Sequence, residues 1–102
     1  MYPKNSFAMR HDSILDAIGR TPLVELPRLS PKPGVRIFAK LEGQNPGGSI
    51  KDRIVQAIVE SAERRGALKP GDTIVEASSG NTAIALAMIA KRKGYKVRVV
   101  MP

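Results

Sequence analysis

Thr73-Ile74-Val75-Glu76-Ala77-Ser78-Ser79-Gly80-Asn81-Thr82-Ala83-Ile84-Ala85-Leu86-Ala87-Met88-Ile89-Ala90-Lys91-Arg92-Lys93-Gly94-Tyr95-Lys96-Val97-Arg98-Val99-Val100-Met101 is the stretch that decides the fold. Thr73 to Ala77 is short and mostly apolar, as a strand buried within a parallel sheet reads. A polar turn follows, and then Ala83 to Ala90 is apolar on nearly all sides, with alanines that allow close packing on a sheet. Lys91-Arg92-Lys93 sets cations at the negative end of that helix, and Gly94 reads as its C-terminal cap. Lys96 to Met101 is a second strand. Strand, helix and strand in this order imply a parallel pair joined by a right-handed crossover.

Upstream the pattern continues. Ser49 to about Arg65 predicts a helix, with Ile50, Ile54, Ile58 and Ala62 recurring every four residues beside Val55 and Val59. Glu60 and Arg64 form an i,i+4 pair on its outer side, and Gly66 can close it. Lys69-Pro70-Gly71-Asp72 is a turn. Arg36 to Glu42 alternates well enough to predict a strand ahead of that helix, making the order β-α-β-α-β. Leu23-Val24-Glu25-Leu26 is a short extended segment stopped by Pro27, and Asp12 or Ser13 can cap a short helix that Gly19 ends. Met1 to His11 has no periodicity, so residues 1–12 are expected to be a flexible arm ahead of an α/β domain over residues 13–102. A final strand without a covering helix implies the N-terminal part of a larger α/β protein, or a protein needing a second chain.

Composition narrows the function classes. The chain has 102 residues and a net charge of +8. Its cations are scattered and aromatics are only 4% of residues, so base-stacking platforms are nearly absent and a nucleic-acid face is disfavoured. There is no apolar run of membrane length, no signal-peptide core and no cysteine. These features fit a cytoplasmic protein. His11 stands alone, so metal clusters and histidine-based triads have no support.

Two stretches carry chemistry. In Asn45-Pro46-Gly47-Gly48-Ser49-Ile50-Lys51-Asp52-Arg53, Ser49 and Asp52 match a capping box, which sets Lys51 in the first helical turn. A cation there opposes the positive end of the helix at a cost of about 0.3–1 kcal/mol. The same field favours the free amine, the form that adds to a carbonyl. The other reading is a surface lysine whose stem covers apolar area. Ser78-Ser79-Gly80-Asn81-Thr82 brings hydroxyls, an amide and free backbone N–H groups to a second helix start, a place suited to a carboxylate or phosphate. Gly80 lets the backbone approach a ligand. The plainer reading is capping by Ser79 or Asn81, which accounts for one polar residue rather than a run of them. Glu76, just before the loop, reads as structural. The dinucleotide fingerprint and the P-loop are both absent.

These stretches, with Ile18-Gly19-Arg20-Thr21-Pro22-Leu23-Val24, Leu41-Glu42-Gly43-Gln44-Asn45-Pro46, Lys69-Pro70-Gly71-Asp72 and Gly94-Tyr95, resemble the N-terminal third of fold-type II pyridoxal-phosphate enzymes. Within them the chain is most similar to the cysteine synthase (O-acetylserine sulfhydrylase) family, B type; cystathionine β-synthase shares most of the same motifs.

The resemblance implies pyridoxal 5′-phosphate as cofactor, with Lys51 holding it as a Schiff base and Asn81 bonding its phenolic oxygen. It implies that Ser78, Ser79, Gly80 and Thr82 bind the carboxylate of the amino-acid substrate. Ser78 stands where threonine is common, and Ala83 where glycine is common, adding a methyl beside the loop. The implied reaction is β-replacement on an activated serine: Lys51 takes the α-proton, the β-leaving group departs, and sulfide or another sulfur donor adds to give cysteine. A homodimer and a serine acetyltransferase partner are implied as well. The family's phosphate-binding loop and the residue facing the pyridine nitrogen come downstream of Pro102, so these residues alone are expected to be inactive. The competing readings are a cystathionine β-synthase-like enzyme and a non-catalytic α/β interaction module.

Overall fold

The computed structural model describes residues 10–102. Most of the arm expected over residues 1–12 therefore lies outside the described residues. The chain is an α/β protein with a parallel sheet and crossover helices, as the 73–101 stretch implies. Strand β3 (Thr73–Ala77) passes into helix α2 (Asn81–Lys93) and returns in β4 (Lys96–Val100). The two strands pair parallel, from Thr73 opposite Lys96 to Ala77 opposite Val100. Gly94 ends α2 in left-handed geometry, its N–H on the Ala90 carbonyl.

The strand ahead of α1 (Lys51–Arg64) departs from the β-α-β-α-β expectation. It is only Phe38–Lys40 (β2), and it pairs antiparallel with β1 (Leu23–Glu25) in a sheet of its own. Three residues of weak alternation carry little information about which partner they will join. The short helix expected after Asp12 or Ser13 is a 3₁₀ turn over Ile14–Ala17, and Ser13 caps it through Oγ.

Helix α1 buries a row that is less conspicuous in sequence. Val55 and Val59 are buried, whereas Ile50, Ile54 and Ile58 are exposed. The helix has two apolar rows, and α2 covers only one. Val55 and Val59 join Ala85, Leu86, Ile89, Ala90 and Tyr95 in the core, with Leu15, Ile18, Leu68, Ile74, Met88 and Val97 packed around it. Alanines at 85 and 90 allow the helices to approach closely. Glu60 pairs with Lys93 across the helices at 3.9 Å, rather than with Arg64 along its own.

The direction of the helices positions the site. Helix α1 reaches the start of β3 through residues 65–72, and α2 leaves the end of β3. Both helices thus run against the strands, and both N-termini lie where the strands finish. The far ends are tied together: Glu63 accepts hydrogen bonds from Lys93 Nζ at 2.9 Å and Tyr95 Oη at 2.5 Å. That carboxylate, with burial adding to it, pushes the Tyr95 phenol up to about 12.

Ile89 is fully buried between the helices and the sheet. Ile89→Ala is expected to cost about 2–5 kcal/mol, read from urea unfolding followed by circular dichroism. A cost below about 1 kcal/mol would show that this core is already loose.

Candidate functional site

Lys51 is the first residue of α1. The start of the helix differs in detail from a capping box. Ile50 is the N-cap, and Ser49 Oγ accepts from the Lys51 backbone N–H at 3.1 Å. Asp52 reaches past Ser49 to accept from the Gly47 N–H at 2.6 Å. Asp52 is fully buried, and its Oδ1 has no hydrogen-bond partner. A methyl on Gly47 would stand 2.2 Å from that oxygen, so only glycine fits there. Among the described residues the Lys51 amine has no hydrogen-bond or ion-pair partner, which leaves it available to a ligand.

A network that sequence reading missed surrounds this helix start. Arg53 Nε donates to Glu42 Oε1 at 2.6 Å. Its terminal nitrogen donates to Glu42 Oε2 at 3.0 Å, to Thr21 Oγ1 at 3.0 Å and to the Gly19 carbonyl at 2.9 Å. Thr21 Oγ1 donates to Glu42 Oε2 at 2.6 Å. Asn45, nearly fully buried, donates to Glu42 Oε1 and accepts from the Gly19 N–H at 2.8 Å. The Arg53 guanidinium first, then the Thr21 hydroxyl, hold the Glu42 carboxyl down to about 2. Each of these residues sat inside a quoted motif, but no residue pattern announces which charge meets which.

The second polar stretch sits at the other helix start. Ser78 N–H donates to the Val100 carbonyl at 3.1 Å, tying the loop to β4, and Ser78 Oγ accepts from Gly80 N–H at 3.3 Å. Gly80 itself is the N-cap of α2, and no side chain caps this end. Capping by Ser79 or Asn81 is thereby excluded. Ser79, Gly80 and Asn81 are exposed, Ser78 and Thr82 half-buried. Thr82 lines a cavity of about 90 Å³ with Val55, Ile58, Val59, Ile74, Glu76 and Leu86. This brings the start of α2 beside the second turn of α1, one turn from Lys51; Lys51 itself does not line the cavity. Glu76 is half-buried on its wall. A larger cavity, about 440 Å³, lies away from both loops among Glu25, Ser30, Lys32 and Arg36.

The two polar stretches thus share the end of the α/β layer where the strands finish, the place at which open α/β sheets take ligands. The donor set is an amine, an uncapped helix start, three hydroxyls and one amide. It suits a molecule with one electrophilic carbonyl carbon and anionic oxygens. No helix among the described residues is long and apolar enough to cross a membrane.

A family model described as pyridoxal-phosphate dependent enzyme matches residues 14–102. Cysteine synthase B of Salmonella typhimurium is 54% identical over 91 residues, covering 89% of this chain and 30% of that protein. O-ureido-L-serine synthase of Streptomyces lavendulae is 54% identical over 90 residues, covering 88% and 28%. The crystal structure of O-acetylserine dependent cystathionine beta-synthase from Helicobacter pylori superposes with a TM-score of 0.83 at 41% identity, covering 92% of this chain and 31% of that one. The chain spans about 30% of the length of these relatives.

Two predictions follow from the helix start. Glu42 titrates near 2 when folded, against an ordinary value of 4.5, so the stability it contributes is whole above pH 4.5 and is lost as pH falls through about 2. Glu42→Gln is expected to lower the urea midpoint at neutral pH, with the gap to the parent narrowing toward pH 2; a constant gap would contradict it. Gly47→Ala drives a methyl against Asp52 and is expected to cost about 1–3 kcal/mol by thermal melting.

Proposed function

The chain belongs to the pyridoxal-phosphate dependent enzyme family, and from that premise we propose that it supplies the lysine and the substrate loop of a β-replacement enzyme. The reaction is the exchange of the β-substituent of an activated serine for sulfide or another sulfur donor, giving cysteine. The observation that carries the reading is a lysine amine without a partner among the described residues and an uncapped helix start at the same end of one α/β layer.

In this reading Lys51 would hold pyridoxal 5′-phosphate through Nζ, and its amine, when free, would take and keep the proton from the substrate Cα. When bound, the cofactor draws off the electron pair left at Cα. Asn81 would donate from its side-chain amide to the phenolic oxygen. Ser78, Ser79 and Thr82 orient the substrate carboxylate through their hydroxyls, helped by backbone N–H groups at the start of α2. Gly80 lets that backbone come close. The donor set fits the aldehyde, the phenol oxygen and a carboxylate. It contains no cradle for the cofactor phosphate, which the rest of the enzyme would bring.

Residues 13–102 are, on this reading, the N-terminal part of the catalytic domain. The exposed apolar side chains Ile54, Ile58, Val75, Ile84 and Val100 support the presence of further polypeptide over this unit. Family resemblance supports a cytoplasmic homodimer with a serine acetyltransferase as partner. The equal 54% identity to O-ureido-L-serine synthase supports a second reading, in which the product is a β-substituted alanine other than cysteine. Steady-state assays with sulfide and with an oxygen nucleophile such as hydroxyurea separate the two.

Borohydride reduction of the full-length protein with pyridoxal phosphate locks the cofactor onto the lysine that holds it. The adduct is expected on the peptide carrying Lys51, and Lys51→Ala is expected to lose both adduct and turnover. An adduct elsewhere, or a Lys51→Ala protein with parental turnover, would overturn the reading.

A further inference from the structure

Three consecutive residues at the start of α1 behave differently. Lys51 leaves its amine unpartnered among the described residues. Asp52 turns inward and holds the Gly47 N–H, pinning the turn that precedes the helix. Arg53 turns to the segments before that turn and holds Glu42, Thr21 and Gly19. A cation in the first helical turn works against the helix dipole. Arg53 therefore gains nothing for α1 as an isolated helix, and its worth lies in the segments it joins.

Those segments are far apart in sequence: Glu42 is 11 residues from Arg53, Thr21 is 32 and Gly19 is 34. Both backbone groups of Gly19 are held by side chains flanking the Lys51 turn, its N–H by Asn45 and its carbonyl by Arg53. Gly19 has φ +90, and a methyl there would stand 3.0 Å from the guanidinium. The Glu42 side chain is 19% exposed and that of Arg53 37%, so the two-pronged ion pair is only partly screened. Planar, two-pronged contact is a property of arginine that lysine lacks.

We propose that Arg53 is a positioning residue for Lys51: seated on Glu42 and braced against Gly19 and Thr21, it sets where the first turn of α1 presents the lysine amine. The role is exerted through Glu42, Thr21 and Gly19, the groups that Arg53 holds. The proposal rests on Lys51 as the cofactor-bearing lysine.

The test is site-resolved labelling of the full-length protein with pyridoxal phosphate and cyanoborohydride. Label at Lys51 is divided by label at the exposed Lys69 and Lys91. That ratio responds to the placement of Lys51 and cancels general changes in lysine reactivity. Arg53→Met is expected to lower it about tenfold to a hundredfold, with Arg53→Lys recovering part of the loss. Gly19→Ala, which crowds the guanidinium without changing any charge, is expected to lower it as well, and covers the case in which Arg53→Met fails to fold. Glu63→Gln, which weakens the opposite end of the helix pair, is expected to leave it unchanged. A selective parent whose Arg53→Lys and Gly19→Ala variants are equally selective would overturn the positioning role and leave the function reading intact. A parent that labels Lys51 no more than Lys69 and Lys91 would overturn the function reading, and the positioning role with it.

Discussion

The ion pair between Arg53 and Glu42 joins the two parts of this chain. On one side stands the crossover unit of β3, α2 and β4 with α1 laid along it. On the other stands the small antiparallel pair β1–β2 with the turns that lead into α1. Few apolar side chains cross between them, and the buried core belongs to the crossover unit. Polar contacts do the joining: Arg53 to Glu42, Thr21 and Gly19, Gln56 Nε2 to the Leu15 carbonyl at 3.4 Å, and Arg92 Nε to Ser13 Oγ at 3.0 Å. Such a junction is specific in geometry because each partner must be met at the right angle.

The crossover unit aligns its two helices. Because α1 and α2 both run against the strands, their positive ends face the same side. The Glu63–Tyr95–Lys93 cluster ties the opposite ends together. Core packing of Val55 and Val59 against Ala85, Leu86 and Ile89 keeps the helices from sliding. Lys51 and the polar loop Ser78–Thr82 thus share one end of the layer through topology, although they lie in different turns of the chain.

Local chemistry explains what could be read in the sequence. The apolar run and the Gly94 stop defined α2, and Thr73 to Ala77 announced a strand, although the burial expected of it is missing: Thr73, Val75 and Ala77 are exposed. Lys51 stood out because it breaks a local rule for helix starts. The unread parts are those that depend on distant partners. Two three-residue strands chose each other, which no periodicity of that length can specify. Of the two apolar rows on α1, the isoleucine row looks stronger, yet burial depends on where α2 lies. Glu42, Thr21 and Arg53 were each visible as motif residues, but their pairing is a fact of three dimensions. Asp52 was read as a helix cap, and it does cap a turn, two residues earlier in the chain than the pattern suggests.

The sheet of β3 and β4 has a colloidal consequence. Among the described residues both strands are edges, and one face shows Val75 and Val100, which are 60% and 56% exposed. Edges and bare apolar faces are templates for strand addition between molecules. The 102 residues carry a net charge of +8, so copies repel one another at low ionic strength. Salt shortens the range of that repulsion to about 8 Å at physiological strength, while leaving the apolar face as adhesive as before. Taken by itself, this piece of α/β layer stays dispersed through charge rather than through a closed surface.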